Sequence, residues 1–272
     1  MRPPTPIQHG PAHLILTAVF ALFVLFLYGP TITIAILSFQ GPEGGLTFPM
    51  RGTSLHWFAN LFQTQTVGDF GGAFTRSIAL ACLTTGITIA VALLAGLAFR
   101  RRFRGATTLF YLTIASLIMP SILISLGIGL MFNIADLPPT WYTSALGAHL
   151  TWTLPFGVLI MLAVFNRVDR SLEEAGRDLG ASPWQVFQHI ILPLIAPSLI
   201  GVALFAFTLS YDEFARSVMS AGSDNTLPLE IYGMTTNVTS PVLYALGTLT
   251  TAFSFLIILA AVSIVLFLRK QR

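Results

Sequence analysis

Residues 171–193, SLEEAGRDLGASPWQVFQHIILP, gather charge and turn-forming residues in a chain that is only 9% charged and 54% hydrophobic. The paired carboxylates Glu173 and Glu174 stand there beside Arg170 and Arg177, in a segment built to meet something polar. A second group is Tyr211-Asp212-Glu213. An aromatic ring beside two carboxylates suits an ammonium group, by cation–π attraction and charge pairing. In the other reading, open on sequence alone, the carboxylates cap a helix at an interface and pair with Arg216. Catalytic signatures are missing. There is no H-E-x-x-H zinc pattern and no G-x-S-x-G elbow, and the five histidines lack ligand spacing. The single cysteine, Cys82, excludes an intramolecular disulfide and a Cys-based metal site. The only lysine, Lys270, is not preceded by the glycines of a P-loop. No cofactor is expected in this chain, and any ATP and Mg chemistry must belong to a partner.

The elements that position these groups are dictated by hydropathy. Soluble domains carry about 25% charged residues, so this composition specifies a membrane protein. A hydrocarbon core of about 30 Å takes roughly 20 apolar helical residues, because backbone polar groups in lipid must pair internally. Six runs qualify: 14–39, 76–99, 107–134, 148–165, 190–211 and 244–268. The first exceeds the roughly 7–15 residues of a signal-peptide core and no A-x-A site follows, so a retained span is expected. The expected fold is all-α and polytopic, one transmembrane domain over 1–272.

Eleven of the fourteen Lys and Arg residues fall on one side of such a six-span arrangement: Arg2, Arg100, Arg101, Arg102, Arg104, Arg167, Arg170, Arg177, Arg269, Lys270 and Arg272. Only Arg51, Arg76 and Arg216 fall opposite. The positive-inside rule then places both termini and the 171–193 stretch in the cytoplasm. RRRFRG serves as a topology anchor, and the net charge of +3 gives no argument for nucleic acid. Trp57, Phe58 and Phe62 predict a half-buried interfacial helix in the first outer loop. The sequon Asn237-Val238-Thr239 carries no weight in a protein of bacterial type. Pro30, Pro120, Pro155, Pro193 and Pro197 predict bends in the spans.

Within 171–193 the pattern predicts two short helices. Ser171 and Glu174 read as a capping box for a helix over 172–179, with Gly180 in the left-handed position after it. Ser182, Pro183 and Gln185 start a second helix, which runs until Pro193 marks the entry to the fifth span. Trp184 and Phe187, three apart, supply a small apolar anchor with a polar rim, the composition of a docking surface.

Glu174-Ala175-Gly176, three residues, Gly180, nine residues and Ile190-x-Leu192-Pro193 resemble the E-A-A-x3-G-x9-I-x-L-P signature of permease subunits of bacterial ATP-binding-cassette importers. Only the second alanine differs, replaced by Gly176. The stretches 150–182 and 207–218 with 226–234 are similar to the spermidine/putrescine branch, in particular its second permease subunit. The resemblance implies six spans in the type I (MetI-like) permease fold and a bacterial inner-membrane location. It implies a cytoplasmic ATPase dimer, a second and different permease, and an extracytoplasmic solute-binding protein as partners. The polar stretch is implied to be the coupling helix that docks in the ATPase, with Glu173, Glu174, Ala175, Gly176 and Gly180, and with Trp184 and Phe187 added from the surface reading. Three other classes compete. An ion-coupled transporter needs mid-membrane ionisable groups, yet 77–99, 105–135 and 231–268 have none. An intramembrane enzyme lacks its motifs, and a scaffold protein would not need the spaced signature.

Overall fold

The computed structural model describes residues 11–62, 68–101, 103–237 and 240–270. Arg2, Arg102 and Arg272, together with Val238 and Thr239 of the sequon, lie outside the described residues. The chain divides into two compact units, Met1–Val67 with Val238–Thr251, and Gly68–Asn237 with Ala252–Arg272.

In the first unit, α1 (Pro11–Leu37) carries Pro30 within it. Its 18-residue apolar window has no buried residue, the surface of a helix that meets lipid. The polypeptide then turns on Gln40, whose side chain accepts from the Arg51 N–H at 3.1 Å and donates to the Gly45 carbonyl. A single antiparallel bridge pairs Gln40 with Thr53. The expected interfacial helix is one short turn, α2 (His56–Asn60). Phe58 packs on Phe39 at 5.3 Å, whereas Phe62 lies beyond the helix and is exposed. Tyr244 donates to the Leu46 carbonyl at 2.7 Å, tying this loop to the start of the last helix, α11 (Val242–Lys270).

The second unit holds α3 (Phe70–Phe99), α4 (Ala106–Ile118), α5 (Ser121–Ile134), α6 (Ser144–Phe165), α7 (Ser171–Asp178), α8 (Pro183–Val186), α9 (Leu192–Tyr211) and α10 (Leu227–Asn237). α3 starts six residues before the expected 76, because the Asp69 carboxylate accepts the Gly72 N–H at 2.9 Å and caps it. α3, α6 and α9 pack around Ala92, Val158, Met161, Phe165, Ile195 and Val202. The approach is close: a Cβ on Gly96 would sit 2.4 Å from the Phe165 ring. One internal hydrogen bond, Thr88 to Thr153 at 2.8 Å, joins α3 to α6.

The run 107–134 bends at Pro120, as expected, and so sharply that it splits into two helices: α4 and α5 meet at 103°. Pro120 disfavours helical backbone in the residue before it, and Met119 is extended with ψ 129°. Each half, at about 1.5 Å per residue, reaches only about 20 Å and cannot cross a bilayer alone. Pro193 stands at the start of α9, where the entry to the fifth span was expected, and the helical backbone is not interrupted there. α8 passes through a π-turn (Phe187–Ile191) directly into α9, so 183–211 is one 29-residue helical run. In that turn Leu192 donates five residues back to Phe187, and the wider winding absorbs the donor that Pro193 lacks. By length and composition the described residues give five helices able to cross a membrane, and six if the bent pair counts as one.

Candidate functional site

The polar stretch folds as a bracket of α7 and α8. No Ser171–Glu174 capping box forms, a correction to the expected start of this helix, because Ser171 is already helical and Arg170 occupies the cap position. Asp169 takes over, accepting the Ser171 N–H at 2.9 Å. That backbone bond, and after it the Ser171 hydroxyl, holds the Asp169 carboxyl below the usual carboxylate range. α7 ends in a Schellman turn. Gly180 N–H reaches the Arg177 carbonyl at 2.8 Å, Ala181 N–H reaches Gly176 at 3.0 Å, and Gly180 adopts φ +85°. Ser182 and Gln185 then form both halves of a capping box, at 3.3 and 2.8 Å, with Pro183 first in α8.

The bracket has two faces. Inward, Gly176 is buried against Val186 and Ile190, and Glu173 stands 2.5 Å from Arg100 at the end of α3. These atoms make an ion pair by distance but are not aligned as a hydrogen bond. Arg100 also donates to the Phe165 carbonyl at 3.1 Å and lies over that ring at 5.5 Å, while Arg170 donates to the Arg100 carbonyl. Outward, Glu174, Ala175 and Gly180 are exposed, Leu179 is 90% exposed and Trp184 67%. Phe187 is half-buried and its ring lies 5.5 Å from that of Trp184. A groove of about 990 Å³ is lined by Leu94, Leu97 and Arg101 on one side and by Glu174, Arg177 and Trp184 of the bracket on the other. Glu173 and Glu174, neighbours in sequence, therefore have different surroundings: one is tied to the helix bundle, the other is free to meet a partner.

At the other end of the 183–211 run the three pathway candidates part company. Tyr211 is buried among Phe74, Phe207 and Phe253, with ring centroids 5.4–6.4 Å away. Asp212 is exposed. Glu213 accepts the Arg216 N–H at 2.9 Å and stands 3.8 Å from its guanidinium. The structure thus pairs Glu213 with Arg216 and leaves Asp212 as the accessible carboxylate, without gathering all three around one space.

Sequence reasoning missed the polar interior next to these residues. Arg216 is fully buried. His149 bridges Ser210 and Ser217, each at 2.8 Å, and Ser144 donates to the Ser220 carbonyl at 2.6 Å. Ser125 donates to the Arg216 carbonyl at 2.8 Å and accepts from Met219 N–H at 3.0 Å. The available signal was the density of Ser and Thr in otherwise apolar runs. Among the described residues no cluster of three His, Cys, Asp or Glu is placed to hold a metal ion.

Residues 85–271 match the family described as binding-protein-dependent transport system inner membrane component. The chain is 30% identical over 269 residues to the putrescine transport system permease protein PotI of Escherichia coli (strain K12), covering 97% of this chain and 91% of that one. It is 29% identical to the spermidine/putrescine transport system permease protein PotC of Haemophilus influenzae, over 87% and 91%. A crystal structure of a bacterial ABC transporter involved in import of the acidic polysaccharide alginate superposes with TM-score 0.71, at 16% identity, over 93% of this chain and 94% of that chain. Structures of the MetNI methionine ABC transporter in inward facing conformations give TM-score 0.57 at 18% identity, over 73% and 94%. At such identities these likenesses speak for the fold alone, which is that of ABC importer permeases. From the family match and the near full-length identity, the chain belongs to the inner membrane components of binding-protein-dependent transport systems.

Proposed function

We propose that this chain carries a polyamine or a related small amino-containing solute inward through the bacterial cytoplasmic membrane, driven by a separate ATPase dimer that grips the 171–193 bracket. A second, different permease completes the pathway and an extracytoplasmic binding protein delivers the solute. Both termini and the bracket face the cytoplasm, where eleven of the fourteen basic residues then lie. ATP and Mg are bound by the partner, since the sequence has no P-loop.

The observation that carries this reading is the bracket's two-faced construction. Its inner face is tied to α3 through Glu173 and Arg100, and its outer face offers Glu174, Leu179 and Trp184. Because α8 continues through the π-turn into α9, a push on the bracket is passed into one continuous 29-residue helical run. The names of the relatives support a polyamine, and exposed Asp212 supplies one carboxylate suited to an ammonium group.

The test is Glu174→Arg in membranes that also hold the partner subunits. Wild-type protein is expected to co-purify with an ATPase and to support accumulation of labelled putrescine. Glu174→Arg is expected to insert normally, recover less ATPase and lose uptake. Full uptake by that variant would remove the bracket from the coupling role, and uptake that putrescine and spermidine fail to compete would remove the polyamine.

A further inference from the structure

The far end of the 183–211 rod is not free. Five residues after it ends at Tyr211 comes Arg216, a fully buried cation. Its Nη1 donates at 2.6 Å to the hydroxyl of Ser121, the first residue of α5 after the 103° break. Its Nε donates to Thr151 of α6 at 3.3 Å, and its guanidinium lies 4.4 Å from the ring centroid of Trp152, also on α6. Its carbonyl accepts from Ser125, one turn further along α5. Gly129, a turn beyond, lets the loop backbone in: a Cβ there would stand 2.3 Å from the Met219 carbonyl oxygen. On the other side of the break, Ser116 donates to the Thr151 carbonyl at 2.7 Å. Both halves of the bent pair are thus stitched to one small region of α6, and α5 to the loop that follows α9.

A buried cation is a poor choice if the site needs only to be filled. Apolar side chains of similar volume usually serve stability as well or better, and the attested use of a buried charge is to enforce one arrangement over others. Arg216 meets Ser121, Thr151 and Trp152 together only when α5, α6 and the loop stand in one relative position. Its Nη2 has no hydrogen-bond partner among the described residues, so the site holds the charge at a cost in solvation.

We propose that Arg216 is the positioning residue that transmits the stroke. It locks the α4–α5 bend to the far end of the rod, so that movement of the bracket re-aims α5 and is not lost in the loop. This rests on the bracket being the ATPase coupler. Arg216 touches neither nucleotide nor solute in this scheme and acts through Ser121 and α6.

The experiment uses the assembled transporter, this chain with its co-purifying ATPase and permease, reconstituted in proteoliposomes with its binding protein. ATP hydrolysis and solute uptake are measured together in wild type, Arg216→Met, Arg216→Lys and Ser121→Ala. Arg216→Met is expected to keep the ATPase subunit and hydrolysis within about twofold of wild type, and to lower solute taken up per ATP by about tenfold. Arg216→Lys, which keeps a charge able to reach Ser121, is expected to recover part of that ratio. Ser121→Ala is expected to share the defect, and the double variant to be no worse than Arg216→Met alone. Wild-type uptake per ATP in Arg216→Met overturns the proposal. If Arg216→Met fails to assemble, the decision passes to Arg216→Lys and Ser121→Ala, and wild-type ratios in both overturn it. Failure of the coupler reading looks different, because Glu174→Arg would then keep full uptake whatever the Arg216 variants do.

Discussion

The two ends of the 183–211 rod handle charge in opposite ways. At the bracket only the inward pair of Glu173 and Arg100 is sheltered; on the outer side Arg177 is 54% exposed where it approaches Glu173 at 3.8 Å, and such wet pairs contribute about 0–1 kcal/mol. At the Arg216 end the cation is wholly buried, and its guanidinium donates to α6 through Thr151 and to α5 through Ser121. The contrast teaches which end tolerates change. A docking surface must present side chains to a partner and can be rebuilt from several of them. An internal clamp has one geometry, and removing a partner from a buried charged network costs about 3–5 kcal/mol.

That contrast can be broken at its stiff end first. Gly129→Ala forces a Cβ to 2.3 Å from the Met219 carbonyl, and backbone cannot step aside as a side-chain tip can. The expected loss is at least about 1–3 kcal/mol, read as a clear drop in melting temperature of the detergent-solubilised protein. A melting temperature equal to wild type would mean that α5 and the loop are not in contact. Ser182→Ala removes the hydroxyl half of the capping box that starts α8. It is expected to cost about 1 kcal/mol, with a small shift in melting temperature and uptake retained. The smallest effect is expected at Gly176→Ala. The new Cβ meets the Ile190 Cδ1 tip at 2.7 Å, a flexible end that can turn away, while helix propensity gains about 1 kcal/mol. Stability within about 1 kcal/mol of wild type on either side and normal uptake fit the account, and loss of assembly would contradict it.

What was legible in the sequence follows the range of the interaction. Gly180, Ser182, Pro183 and Gln185 obey rules that act over three or four residues, and the structure realises each of them. The apolar runs likewise located the spanning helices, since length and hydropathy are local sums. Boundaries set by a single polar side chain were not legible: Asp69 extends α3 beyond Arg76, where the apolar run begins. Ser171 was overruled as a cap by Asp169, two residues earlier. α10 escaped notice because its eleven residues are only mildly apolar and it follows a loop rich in polar groups. The least visible features join distant positions. Nothing local to Glu173 announces Arg100, 73 residues away, and nothing local to Arg216 announces Ser121. The signature named the bracket, but only the packing separates Glu173, which is tied inward, from Glu174, which faces out.

The central claim is that the bracket's outer face meets an ATPase in the cytoplasm, and Leu179 tests it most directly because it is 90% exposed at the bracket's tip. The variant Leu179→Cys, made in a Cys82→Ser background to remove the one native thiol, would be treated in native membranes with a thiol-directed photo-crosslinker and its adducts identified by mass spectrometry. The account predicts an adduct with an ATPase subunit, and no labelling of Leu179→Cys in intact cells by a membrane-impermeant maleimide added outside. Labelling from outside, or no ATPase adduct in membranes that contain the ATPase, would contradict it.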